Sequence, residues 1–190
     1  MANKIKYGLR NVYYAKATDN GSGVLSYAEP VRIPGAVNLS LDPNGETTPF
    51  YADDIIYYQS ESNNGYTGSL EIALVPDSFR KDILGETEDA NTVLFEKANV
   101  QSAEFALLFE FQGDEAQTRH ALYRCTASRA PVNGATQENG ITPQTETLNL
   151  TAMPRINDYI VKSKCPKSAT TQYNNWFTAV YANPVATTST

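Results

Sequence analysis

Histidine occurs once in this chain of 190 residues, tryptophan once and cysteine twice. A single imidazole, His120, is therefore the only candidate for histidine-based proton transfer, and no G-x-S-x-G elbow provides a nucleophile to work with it. Cys125 and Cys165 are too few for a disulfide framework and lack the companions of a zinc site. Both thiols are expected free, as in the cytosol or a particle assembled there. The phosphate-cradling patterns G-x-G-x-x-G and G-x-x-x-x-G-K-[ST] are missing. DPNG and NNG read as turn signals, and the calcium-loop template fails at its later acid positions. Asp53 and Asp54 could form half of an acid–base pair, but adjacent residues of a strand face opposite ways. No secretion-type apolar segment follows the start, and no run reaches membrane-spanning length. No catalytic residue, cofactor, metal or membrane contact is expected, and His120 reads as structural or exposed.

Charge is also sparse, at 19% of residues, below the usual quarter. The net charge is −6, but its distribution says more than the sum. Lys4, Lys6, Arg10 and Lys16 occupy residues 1–16 with no acid. Residues 61–120 hold twelve acids against four bases, and residues 151–190 hold four bases against Asp158 alone. Such an acidic middle would repel phosphate, and nucleic-acid recognition motifs are missing. Basic ends around an acidic middle are either a device by which subunits attract one another or ordinary surface variation.

What the chain has in quantity is tyrosine, 12 residues, with Thr, Asn and Ser at polar positions. That composition favours β structure and large amphipathic contact surfaces. Its organising stretch is Glu104–Arg129. Phe105, Leu107, Phe109 and Phe111 alternate with Ala106, Leu108 and Glu110, the period of a strand on a core. Ala121, Tyr123, Cys125 and Ala127 alternate likewise in a second strand, joined to the first by a polar turn. Leu108 keeps the second face apolar, so cover is needed on both sides, from a sheet, a helix or another subunit.

Earlier in the chain, residues 3–17 read as a basic extended arm entering a strand near Val12, with Gly8 allowing a bend. Pro30 and Pro34 make the next strand an edge. AVNLSL alternates as a strand; DPNGETTPFYADD then reads as a long loop with Phe50 and Tyr51 near its middle, folded over the core or committed to a partner. In SLEIALV, Leu70, Ile72 and Leu74 share a face. PDSFRKDILG is the clearest helix, capped by Asp77, ended by Gly85, and packing Phe79, Ile83 and Leu84 on a sheet. TETLNLTAMP is a further strand, and Trp176 with Phe177 needs a home on the chain's own core or on a neighbour.

The phrases NKIKYGLRNVYYAK, VRIPGAVNLSLDPNGETTPFYADDIIYY, NNGYTGSLEIALVPDSFRKDILG and FALLFEFQGDEAQTRHALYRCTASR resemble the major tail protein of long-tailed, non-contractile phages of Gram-positive bacteria. The resemblance covers roughly residues 3–155. It implies a mainly β (α+β) fold: a β-sandwich with one short flanking helix, a long inter-strand loop and extended terminal arms. Residues 1–155 would be the tail-tube domain, with loop 42–54 between rings, and 156–190 a C-terminal arm. The implied function is structural: stacked hexameric rings around an acidic lumen through which double-stranded DNA passes without tight binding. The virion tail would be its location after assembly in the host cytoplasm. Tail terminator, tape measure and distal tail proteins would be its partners besides itself. Expected subunit contacts are Lys4, Lys6, Phe50, Tyr51, Asp53, Asp54, Leu108, Trp176 and Phe177. The rival from another class is an isolated carbohydrate- or host-binding β-sandwich, which explains the Tyr and Asn content but not the basic ends. A small hydrolase using Asp or Glu is weaker still.

Overall fold

The computed structural model describes residues 5–114, 116–136 and 143–182. The chain opens with β1 (Leu9–Asp19) and the short β2 (Leu25–Tyr27) and β3 (Val31–Arg32). Next come β4 (Ala36–Asn44), β5 (Thr47–Ala52), β6 (Ile55–Glu61) and β7 (Gly65–Ile72). Helix α1 (Asp77–Phe79) runs into a π-helical turn, Arg80–Leu84. Strands β8 (Thr87–Glu88) and β9 (Leu94–Phe95) form a small hairpin, followed by β10 (Phe105–Phe111) and β11 (Arg119–Ala127). Strands β12 (Glu146–Met153) and β13 (Lys162–Cys165) and helix α2 (Thr170–Asn174) complete the described elements. The fold is mainly β, with a large antiparallel sheet in the order β2-β1-β10-β11-β12-β7-β4. The sheet coils until β4 lies against β1, giving a sandwich-like interior.

Strand β10 lies between β1 and β11, paired on both edges. One face sends Phe105, Leu107 and Phe109 into the main core, among Leu70, Ile72, Leu148 and Leu150. Helix α1 plugs one end of this core: Phe79 meets Tyr14 and Phe105 edge-on, at centroid distances of 5.0 and 5.4 Å. Gly85, at φ 77°, ends the helical segment in the left-handed conformation, as its sequence position suggests. Asp77 does not cap it. The cap position is Pro76, with no side-chain bond, and Asp77 sits inside the first turn.

The other face of β10 is covered by the chain itself. Ala106 and Leu108 pack with Ala15, Ala121, Tyr173 and Trp176 in a second core. The segment expected to be a C-terminal arm thus lies, as far as residue 182, over the back of its own sheet. Strand β13 pairs there with the first half of β11, and β12 takes the second half. Of the contacts expected between subunits, Leu108 and Trp176 are 0% and 2% exposed, so both are spent inside the subunit. Phe177 is half-buried, stacked on Tyr13 at 4.8 Å.

A bulge explains where the simple alternation of β11 breaks. Its pairing with β10 shifts register between Phe105↔Cys125 and Leu107↔Leu122. Leu122 and Cys125 consequently share the main core, while Ala121 lies in the second. Leu74, expected on the face of Leu70 and Ile72, is exposed because β7 ends at Ile72.

Glu110 was placed by alternation on the weaker face, yet it is among the most buried charges, 3% exposed. Arg10 and Arg119 hold its two carboxylate oxygens at 2.9 and 3.0 Å, and Asn11 donates to it at 2.7 Å. The Arg119 guanidinium also lies 3.8 Å from the Tyr173 ring centroid. One carboxylate therefore joins β1, β10, β11 and the α2 region. Removing one partner of such a buried pair is far costlier than the pair's net worth.

Leu108→Ala should destabilise the subunit by about 2–5 kcal/mol, because it opens a cavity under Trp176. Urea denaturation of the variant checks this; an unchanged midpoint would contradict the burial of β10 on its second face.

Candidate assembly surface

The segment read as a long loop is a β-ribbon. The β4–β7 ladder runs to Asn44↔Gly65, and β5 and β6 pair from Thr47↔Glu61 to Ala52↔Ile55. Between the two ladders, Asn64 donates its N–H to the Asn44 carbonyl at 2.8 Å and Ser62 to the Glu46 carbonyl at 2.9 Å. DPNG is accordingly not a turn: Asp42, Pro43 and Asn44 finish β4. Pro43 is tolerated because β4 is an edge strand, where a missing donor breaks no inner ladder.

Asp53 and Asp54 are likewise not strand residues on opposite faces. Both have positive φ, 52° and 61°, and together they make the two-residue turn of a hairpin. Aspartate enters the left-handed region more readily than most residues. Two six- to seven-residue runs of Thr, Ile, Phe and Tyr on either side of Asp-Asp were the available signal.

This hairpin has cover on neither face. Phe50, Tyr51, Ile55, Ile56, Tyr57 and Tyr58 are between 53% and 73% exposed. Consecutive strand residues point to opposite faces, so both surfaces carry aromatic or branched side chains. The outer edges of β5 and β6 are also open, since these strands pair only with each other.

Its charges are just as one-sided. From Asp42 to Glu61 the ribbon carries Asp42, Glu46, Asp53, Asp54 and Glu61, with no Lys or Arg. None of these has a cation within ion-pair distance among the described residues. Elsewhere several acids are matched internally: Glu146 by Arg80 at 3.0 Å, Glu104 by Arg124 at 2.7 Å and Glu88 by Lys81 at 2.7 Å. Part of the acidic middle is neutralised at home. Among the described residues, the ribbon's five carboxylates are not.

A groove of opposite character opens at the end of the core away from α1. Its floor is apolar, with Leu39, Leu41, Phe109 and Phe111, and Lys6, Lys162 and Lys164 line it as well. Its volume is about 240 Å³. Lys6 lies over the Phe111 ring at 5.2 Å, and Lys162 over Tyr66 at 4.4 Å. Sequence reading marked both ends of the chain as basic and named Lys6 as a contact, but not that the ends meet, because β13 and the start of the chain come together only through their pairing with the β10–β11 hairpin. Lys4 lies outside the described residues.

His120 lines this groove, stacked on Phe109 at 5.2 Å. Burial pushes its pKa down to about 4; Lys164, then Lys6 and Lys162, push the same way, and only Asp114 opposes them. Cys125 is fully buried, and burial pushes its thiol up to about 12, far from a reactive thiolate. Among the described residues, no three His, Cys, Asp or Glu side chains converge as metal ligands would. The chain matches no protein-family model, and no curated protein matches it.

His120 makes stability pH-dependent in a definite direction. The folded state keeps the imidazole neutral down to about pH 4, whereas the unfolded chain protonates it near 6.5. Unfolding takes up a proton between these values, so the contribution is full above 6.5 and is lost as pH falls towards 4. His120→Phe should flatten that part of the profile. Urea midpoints for both proteins across this range test it; parallel profiles would contradict the depressed histidine.

Proposed function

We propose that this chain is the structural subunit of a phage tail tube, assembling with copies of itself into stacked rings around a lumen through which the genome is delivered. The observation that carries this reading is the β5–β6 hairpin, paired strand to strand yet aromatic on both faces and covered on neither. Contiguous apolar surface of this kind marks an interaction site, and a bare two-stranded hairpin is only marginally stable in water. Assembly would bury the rings and pair the open edges of β5 and β6.

The sequence resemblance supplies the kind of assembly, and the charge distribution is compatible with it. The ribbon's five carboxylates, with no cation in ion-pair reach among the described residues, make it a negative element available to a neighbour. In this reading hexameric rings stack, DNA slides through without tight binding, and the ends of the tube meet the terminator, tape measure and distal tail proteins. The second core takes no direct part, since it is closed within the subunit.

A deletion tests the reading without disturbing the fold. Replacing residues 45–63 with Asn-Gly joins Asn44 to Asn64 through a two-residue turn, whose closing hydrogen bond already exists. The variant should keep its thermal midpoint within a few degrees and stay monomeric, while the unaltered chain forms rings or tubes in negative stain. An unaltered chain that is monomeric at every concentration would favour the carbohydrate-binding alternative. Tubes from the deletion variant would remove the hairpin from the account.

A further inference from the structure

We propose that the lysine-lined groove of Lys6, Lys162 and Lys164 receives the acidic, aromatic tip of the β5–β6 hairpin from a second copy of this chain. This rests on the self-assembly reading above and adds the surface on which the hairpin is seated.

Charge is the first argument. The groove lysines have no carboxylate within ion-pair distance among the described residues, and the tip carboxylates of Asp53 and Asp54 have no cation. Two uncompensated sets of opposite sign on one chain favour each other as partners and steer encounter. His120 lines the same groove, and its pKa is lowered first by burial and then by Lys164, Lys6 and Lys162.

Shape and apolar character agree. Phe50 pairs across the hairpin with Tyr58, so the two rings lie side by side on one face. A floor of Leu39, Leu41, Phe109 and Phe111 gives rings an apolar surface, and lysines already lie over the faces of Phe111 and Tyr66 there. The volume, about 240 Å³, is below the ~300–1,000 Å³ of sites that engulf a small-molecule ligand. It suits side chains presented by a protein.

Reach decides between own and neighbouring tip. The ribbon leaves the sheet near Gly45, and its turn lies about eight residues further, roughly 26 Å at strand spacing. Leu41 and Tyr66 place the groove at the ribbon's root. The chain's own tip residues remain exposed, so the occupant comes from another copy. Each subunit then offers one tip and one groove.

Carbodiimide cross-linking, which joins a carboxylate to an amine only in contact, tests this on the full chain. Isotope-labelled and unlabelled subunits are mixed before assembly and the linked peptides identified by mass. The expected products are mixed-isotope peptides joining Asp53 or Asp54 to Lys6, Lys162 or Lys164. K162E/K164E should slow assembly roughly tenfold and lose these products, with an unchanged thermal midpoint. D53N/D54N should do the same from the other side, since Asn keeps the left-handed turn. Assemblies whose tip carboxylates link only elsewhere, or either double variant assembling at the unaltered rate, would overturn the groove assignment and leave self-assembly standing. An unaltered chain that never assembles would overturn both.

Discussion

Strand β10 has no face left for water: Phe105, Leu107 and Phe109 enter one core, Ala106 and Leu108 another, and both edges are paired. A strand in that position obliges the chain to supply two covers. The coiled sheet and α1 make the first, and residues 156–182 the second. At roughly 25 cal/mol per Å² of apolar surface removed from water, this double burial is the main favourable contribution available to the fold. The buried Glu110, held by Arg10 and Arg119, then fixes how the covers meet, because its charge is tolerated only with those partners in place.

A core completed this way frees the ribbon from any structural duty. Phe50, Tyr51, Ile55, Ile56, Tyr57 and Tyr58 contribute nothing to the subunit's interior, and leaving them in water stabilises nothing. Their placement makes physical sense if burial happens between subunits. Apolar side chains line the interior of the sheet and stand open on the hairpin, whose carboxylates have no cation in ion-pair reach among the described residues.

Several parts of this arrangement were legible in the sequence. Alternation located β10 and β12 and the face of each that carries the core, and Gly85 marked the end of the helical segment. The need to cover both sides of Leu108 was also readable, but not the cover itself, since α2 and Trp176 reach it through contacts far apart in sequence. Register escaped as well: a bulge moves Leu122 and Cys125 onto one side, and no local pattern announces it. The ribbon was misread because Pro43 and Asn44 look like a turn, whereas at an edge strand they are permitted. The basic ends were legible but the lysine groove was not, as Lys6 and Lys164 are neighbours only in the folded chain.

The central claim is that the subunit's core is complete alone and its hairpin is completed by another subunit. Amide hydrogen exchange followed from dilute monomer to assembled material measures both halves at once. The account predicts that β10 amides are strongly protected throughout, while those of Thr47–Ala52 and Ile55–Glu61 exchange quickly in the monomer and become protected on assembly. Hairpin amides that exchange at the same rate in both states would contradict it.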